Sequence, residues 1–117
     1  MQLKNKTGYD NATLRNLFSR GLESDGMQSN GYVIEVVYAR QKEITGLGRY
    51  NGKWIRMRLP SPAVRNSNGR EFVKEVAQVF AHEVGHNQGQ HHREMATIES
   101  LEVPWCDDFE DIPFTSK

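Results

Sequence analysis

Residues 68–92 read NGREFVKEVAQVFAHEVGHNQGQHH, and the fold turns on how this stretch is laid out. Phe72, Val73, Val76, Ala77, Val79, Phe80 and Val84 recur at helical spacing and cover one broad arc. That pattern predicts a helix from Gly69 to Gln88 pressed against a sheet. Asn68 is placed to cap it, with Glu71 three residues on in the manner of a capping box. At about 100° per residue, His82 and His86 fall on the margin of the apolar arc and Glu83 just inside it. A helix anchored by one face, with polar groups along its edge, suits the floor of a cleft.

All four histidines of the chain lie between His82 and His92. Zinc takes imidazole nitrogens at about 2.0 to 2.1 Å in a tetrahedron, and a helix supplies two of them only from positions one turn apart. His82 and His86 have that spacing, so both rings leave the same face. Glu83 lies between them, where a carboxylate can take a proton from a water whose pKa zinc lowers to about 7, then return it to a leaving amine. Gly89 tolerates positive φ and can turn the chain sharply after the helix, bringing His92 to the metal.

These residues resemble the metzincin clan of zinc peptidases, whose signature H-E-x-x-H-x-x-G-x-x-H is matched at His82, Glu83, His86, Gly89 and His92. The resemblance implies a zinc metalloendopeptidase: Zn2+ held by His82, His86 and His92, Glu83 as general base, and a protein or peptide as substrate. Metzincins also carry a methionine turn beneath the metal; here Met95 follows His92 by three residues and no later methionine exists. His91, Glu94, Glu99 and Glu102 stand as rivals for the third ligand, with His92 preferred because only then does Gly89 have a mechanical role. A purely structural zinc site is the weaker reading. Such sites close with four protein ligands and favour cysteine, of which there is one, Cys106.

At 117 residues the chain is expected to form one domain, residues 1–117, and to be a monomer. No apolar run approaches the roughly 18 residues of a membrane span, so no membrane partner is expected. The start, MQLKNKTGYDN, lacks the apolar stretch of a secretory signal, which places the expected location in the cytoplasm, or outside the cell for a processed form. The single cysteine excludes an internal disulfide; Cys106 reads as an ordinary thiol rather than one that blocks the metal.

Net charge is zero but unevenly spread. Arg40 to Arg70 holds eight basic residues against Glu43 alone, whereas Glu94 to Asp111 holds seven acids and no Lys or Arg. The two segments are expected to neutralise one another.

Outward from the central stretch, Asp10 caps an expected helix from Asn11 to Arg20, with Leu14, Leu17 and Phe18 inward and Gly21 as its stop. Glu23 to Gly31 reads as loop and Tyr32 to Ala39 as a strand with Ile34, Val36 and Tyr38 on one face. Strands from Ile44 to Tyr50 and Lys53 to Leu59 meet through Asn51-Gly52 as a type I′ hairpin that sets Gly48 opposite Ile55. Ile55, Met57 and Leu59 then face inward, and Trp54, Arg56 and Arg58 outward, with Arg49 resting on the indole.

Pro60 to Ser67 is a loop, Arg93 to Glu102 a short helix, and the tail WCDDFEDIPFTSK docks its aromatics on the core. The expected architecture is α+β and zincin-like: an N-terminal helix, a small three-stranded sheet with a hairpin, the zinc-binding active helix and a short C-terminal helix. Two other functions fit the basic, tryptophan-bearing hairpin. One is a nucleic-acid-associated SprT-like protease; the other is a metal-containing nucleic-acid-binding module without hydrolytic activity.

Overall fold

The computed structural model describes residues 1–65 and 67–115. Asn66, in the expected Pro60–Ser67 loop, and Ser116 and Lys117, at the end of the tail, lie outside the described residues. The elements run β1 (Gln2–Asn5), α1 (Asn11–Ser24), β2 (Val33–Tyr38), β3 (Thr45–Gly48), β4 (Trp54–Leu59) and α2 (Gly69–Asn87). Single 3-10 turns follow at His92–Glu94, Ile98–Ser100 and Pro104–Cys106. The fold is α+β as the sequence indicates.

The sheet has four strands in the order β1-β2-β4-β3. β1, β2 and β4 are parallel, and β3 runs antiparallel on the edge. β1 enlarges the expected three-stranded sheet; its mixed burial, with only Leu3 apolar between polar neighbours, hides it from a periodicity reading. Ile34, Val36, Ile55, Met57 and Leu59 form the fully buried face of the central strands. They join Leu14, Leu17, Phe18 and Leu22 of α1 and Phe72, Val76, Ala77, Phe80 and Val84 of α2 in one cluster. Each such large side chain contributes about 1.5 to 3 kcal/mol by leaving water.

Asp10 caps α1, its Oδ2 accepting from the Thr13 amide at 2.9 Å and hydroxyl at 2.7 Å. Gly21 does not stop the helix. It sits inside it, where a Cβ would come within 2.9 Å of the Phe80 ring, so the glycine lets α1 and α2 close on one another. The stop is Gly26, at φ 71°, with Met27 N donating to Leu22 O at 2.9 Å and Gly26 N to Glu23 O at 3.0 Å. These two bonds are a Schellman termination.

The hairpin keeps its expected register, Gly48 opposite Ile55. Its turn differs, because a type I′ turn needs positive φ at both central residues and only Asn51 has it, at 55°. The turn is bent to fit the end of α2, with Asn51 N donating to His86 O at 3.3 Å.

The segment after α2 forms single 3-10 turns in place of one continuous short helix, with Ile98 and Leu101 half-buried as expected of inward positions. Farther on, Ile112 is buried and Phe114 meets Tyr9 edge-on, ring centroids 5.3 Å apart. The tail thus docks on the core. Among the described residues no helix is long and apolar enough to cross a membrane.

Candidate metal centre and catalytic residues

Asn68 caps α2 by accepting from the Glu71 amide at 3.0 Å. The helix ends on a second Schellman termination: Gly89 N donates to His86 O at 2.9 Å, Gln90 N to Gly85 O at 3.0 Å, and Gly89 takes φ 91°. This reversal returns the chain along the helix and brings His92 beside His86, their Nε2 atoms 3.1 Å apart.

His82, His86 and His92 each offer a nitrogen, and these atoms all lie within 4.8 Å of one another. His86 is oriented by its other nitrogen: the Gln90 carbonyl, 2.8 Å from Nδ1, can only accept, so Nδ1 carries the proton and Nε2 presents a lone pair. His82 is buried, with an Nδ1 that has no hydrogen-bond partner among the described residues. Burial, and then the neighbouring His86 and His92, push its pKa down and favour the neutral ring that a metal requires.

Two nitrogens bound tetrahedrally to one zinc would stand about 3.3 Å apart, close to the His86–His92 spacing. The donor set therefore fits a zinc ion. Of the rivals from the sequence, His91 is exposed, its ring centroid 4.8 Å from Tyr50 and its amide donating to Glu94 Oε1 at 3.1 Å. Neither His91 nor Glu94, Glu99 or Glu102 joins the group.

Glu83 is 5% exposed, wedged between α2 and the edge strand β3. The wedge depends on two glycines. A Cβ on Gly46 would lie 2.7 Å from Glu83 Cγ, and one on Gly48 would lie 2.6 Å from the Glu83 carbonyl oxygen. Burial pushes the Glu83 carboxyl up, opposed by His86, a hydrogen bond from the Gly48 amide, and His92.

Asn87, also buried, ties this helix end to the hairpin: its Nδ2 donates to Arg49 O at 2.8 Å and Trp54 O at 3.3 Å, while Tyr32 Oη donates to its Oδ1 at 2.6 Å. Gly46, Gly48, Asn87 and Gln90 escape the sequence reading. Their roles come from strand-to-helix contacts or from a backbone carbonyl, which leave no mark at fixed spacing.

Met95 packs its methyl against Gly85, where a Cβ would come within 2.6 Å of Cε. Cys106 is buried, and burial followed by Asp107 pushes its thiol up. It lies near Lys74, eight residues and so about 12 Å along α2 before His82, too far to reach the three imidazoles.

On the outer sheet face it is Arg56, not Arg49, that covers the Trp54 ring, at 5.2 Å. Arg56 also pairs with Glu35 at 2.6 Å, and Lys6 with the same carboxylate at 3.0 Å. Among the described residues, the ion pair joining the basic and acidic segments is Arg65–Asp111 at 2.9 Å; Asp108 instead meets Arg20, outside the basic segment, at 2.8 Å.

A helix that gathers imidazoles at one point, with a buried carboxylate under an adjoining edge strand, can hold a metal ion beside a base. A model of the metallopeptidase family M12B, reprolysin-like, matches residues 1–93, a span that runs from β1 through His92. The chain belongs to this reprolysin-like metallopeptidase family, whose substrates are proteins or peptides. No curated protein and no solved structure matches it.

Proposed function

We propose that the protein is a zinc-dependent endopeptidase in which His82, His86 and His92 hold the metal and Glu83 is the general base. What carries the reading is the convergence of three imidazoles beside a buried carboxylate packed against Gly46 and Gly48. A zinc ion held by these imidazoles would supply Lewis acidity, enough to bring the pKa of a water down to about 7. Glu83 takes a proton from the attacking water at a carboxylate oxygen and gives it to the leaving amine nitrogen. Its raised proton affinity suits both halves of that exchange. β3 pairs on one side with β4 and is the last strand of the sheet, so an extended peptide can add along its outer edge and lie across the metal.

Monomeric state and a cytoplasmic, reducing location are part of the proposal, the latter supported by Cys106 being the single cysteine. The nucleic-acid readings have little support, since Arg56 is engaged by Glu35 and Trp54. The test is metal analysis with a peptidase assay. Wild type should carry stoichiometric zinc and lose cleavage to a chelator. Glu83→Gln should keep the zinc while cleavage falls by about 10²- to 10⁴-fold. A Glu83→Gln protein that cleaves like wild type would overturn the assignment.

A further inference from the structure

A cavity of about 640 Å³ opens along α2 on the side toward its N-terminus. Ile44, Phe72, Val79 and Ile98 give it apolar walls. Glu71, Glu75, Gln78, His82 and His86 fall within an arc of about 80° on the helix, so the cavity is the axial continuation of the imidazole stripe. The strand confirms the continuity. Gly46 of β3 lies against both Glu83 and Val79, and Ile44, two residues earlier, lines the cavity.

The charges in the cavity are unbalanced. Arg65 is taken by Asp111 at 2.9 and 3.2 Å and lies over the Phe72 ring, leaving Lys42 against Glu43, Glu71, Glu75 and Glu99. Gln78 is 5% exposed and lines the same cavity. Its amide nitrogen is held by the carbonyls of Glu99 and Leu101, each at 3.1 Å, so its Oε1 is a fixed acceptor that takes no hydrogen bond among the described residues. Burial, and then Glu71, push the Glu75 carboxyl up, as expected of a carboxylate short of a counter-charge.

We propose that this cavity is the specificity subsite for a lysine or arginine side chain of the peptide next to the scissile bond, its stem on Val79 and Ile98 and its charged head between Gln78 Oε1 and Glu75. An apolar sleeve ending in acceptors matches the aliphatic stem and cationic tip of those two residues. Glu75 stands two helical turns, about 12 Å, from Glu83, a span closed when a long side chain from a backbone held on β3 and the Glu75 side chain each reach about half of it. The inference rests on the peptidase reading and names its substrate class.

The test separates binding from cleavage. Short peptides carry lysine, arginine, norleucine or glutamate at each position flanking the cleavage point. They are titrated against zinc-loaded Glu83→Ala protein and assayed for hydrolysis by wild type. At one position lysine and arginine should bind about tenfold more tightly than norleucine, and be cleaved with higher kcat/KM by a similar factor. Glu75→Gln and, from the opposite wall, Glu99→Gln should each shrink that preference; Glu75→Lys should turn it toward glutamate. Cleavage without a basic preference at any position overturns the subsite and leaves the peptidase standing. A preference in binding with no hydrolysis of any peptide overturns the peptidase and leaves the subsite. Neither preference nor hydrolysis overturns both.

Discussion

Gly48 and Glu83 show how closely the residues of this centre are set. With a methyl at position 48 the carbonyl of Glu83 would have to retreat from 2.6 Å, and backbone on both sides resists. Gly48→Ala is expected to lower stability by about 1 to 3 kcal/mol, read from urea unfolding, and to lower peptidase activity by shifting the base. Gly89→Ala meets two obstacles: a left-handed backbone at φ 91° and Asn51 Oδ1 at 2.8 Å from the added atom. It should cost about 1 to 2 kcal/mol and weaken zinc retention against a competing chelator, since the turn it disturbs delivers His92. The grouping of His82, His86 and His92 is legible because helical spacing and the turn at Gly89 bring them together. Gly46 and Gly48 are not, because the atoms they make room for belong to a helix some 35 residues farther along the chain.

Among elements, the two helix ends teach the same lesson with opposite outcomes. Gly21 and Gly26 are both plausible stops for α1, and local sequence cannot tell a terminating glycine from one that admits Phe80. At α2 two glycines follow Val84, the last residue of the apolar arc, but His86 at one-turn spacing from His82 carries the helix past Gly85, and the sequence finds the end to within one residue. The strand pattern carries the hairpin's register but not its turn, because the tip is shaped by docking on α2 rather than by strand twist alone. Asn87 holds that docking through Arg49, Trp54 and Tyr32. Asn87→Ala leaves the buried Tyr32 hydroxyl without its acceptor and takes one of two hydrogen bonds from each of the Arg49 and Trp54 carbonyls, which keep Gly52 N and Arg49 N. It should cost about 1 to 3 kcal/mol in chemical denaturation, with weaker zinc binding as the helix end loosens.

For the whole molecule, the distribution of charge matters more than its zero sum. Arg56 and then Lys6 hold the Glu35 carboxyl below its usual range. Burial works against the Asp111 carboxylate, yet Arg65 and the amide of Ile112 outweigh it and hold its pKa low. Both groups have folded pKa values below their unfolded ones. Their stabilising effect is therefore complete above the unfolded values of about 4 and fades as pH falls through the folded ones. Urea midpoints should be level near neutrality and decline below about pH 4, and Asp111→Asn should flatten part of that decline at the cost of a lower plateau.

The glycines of β3 also carry a dynamic consequence. A four-residue border strand with glycine at alternate positions has little side-chain packing to stiffen it, so in solution its amides should exchange with deuterium sooner than those of β4. A peptide annealed along that border would damp the motion and steady the carboxylate beneath it. Slowed exchange at Thr45 to Gly48 on adding an uncleaved substrate analogue would report that ligand and base tighten together.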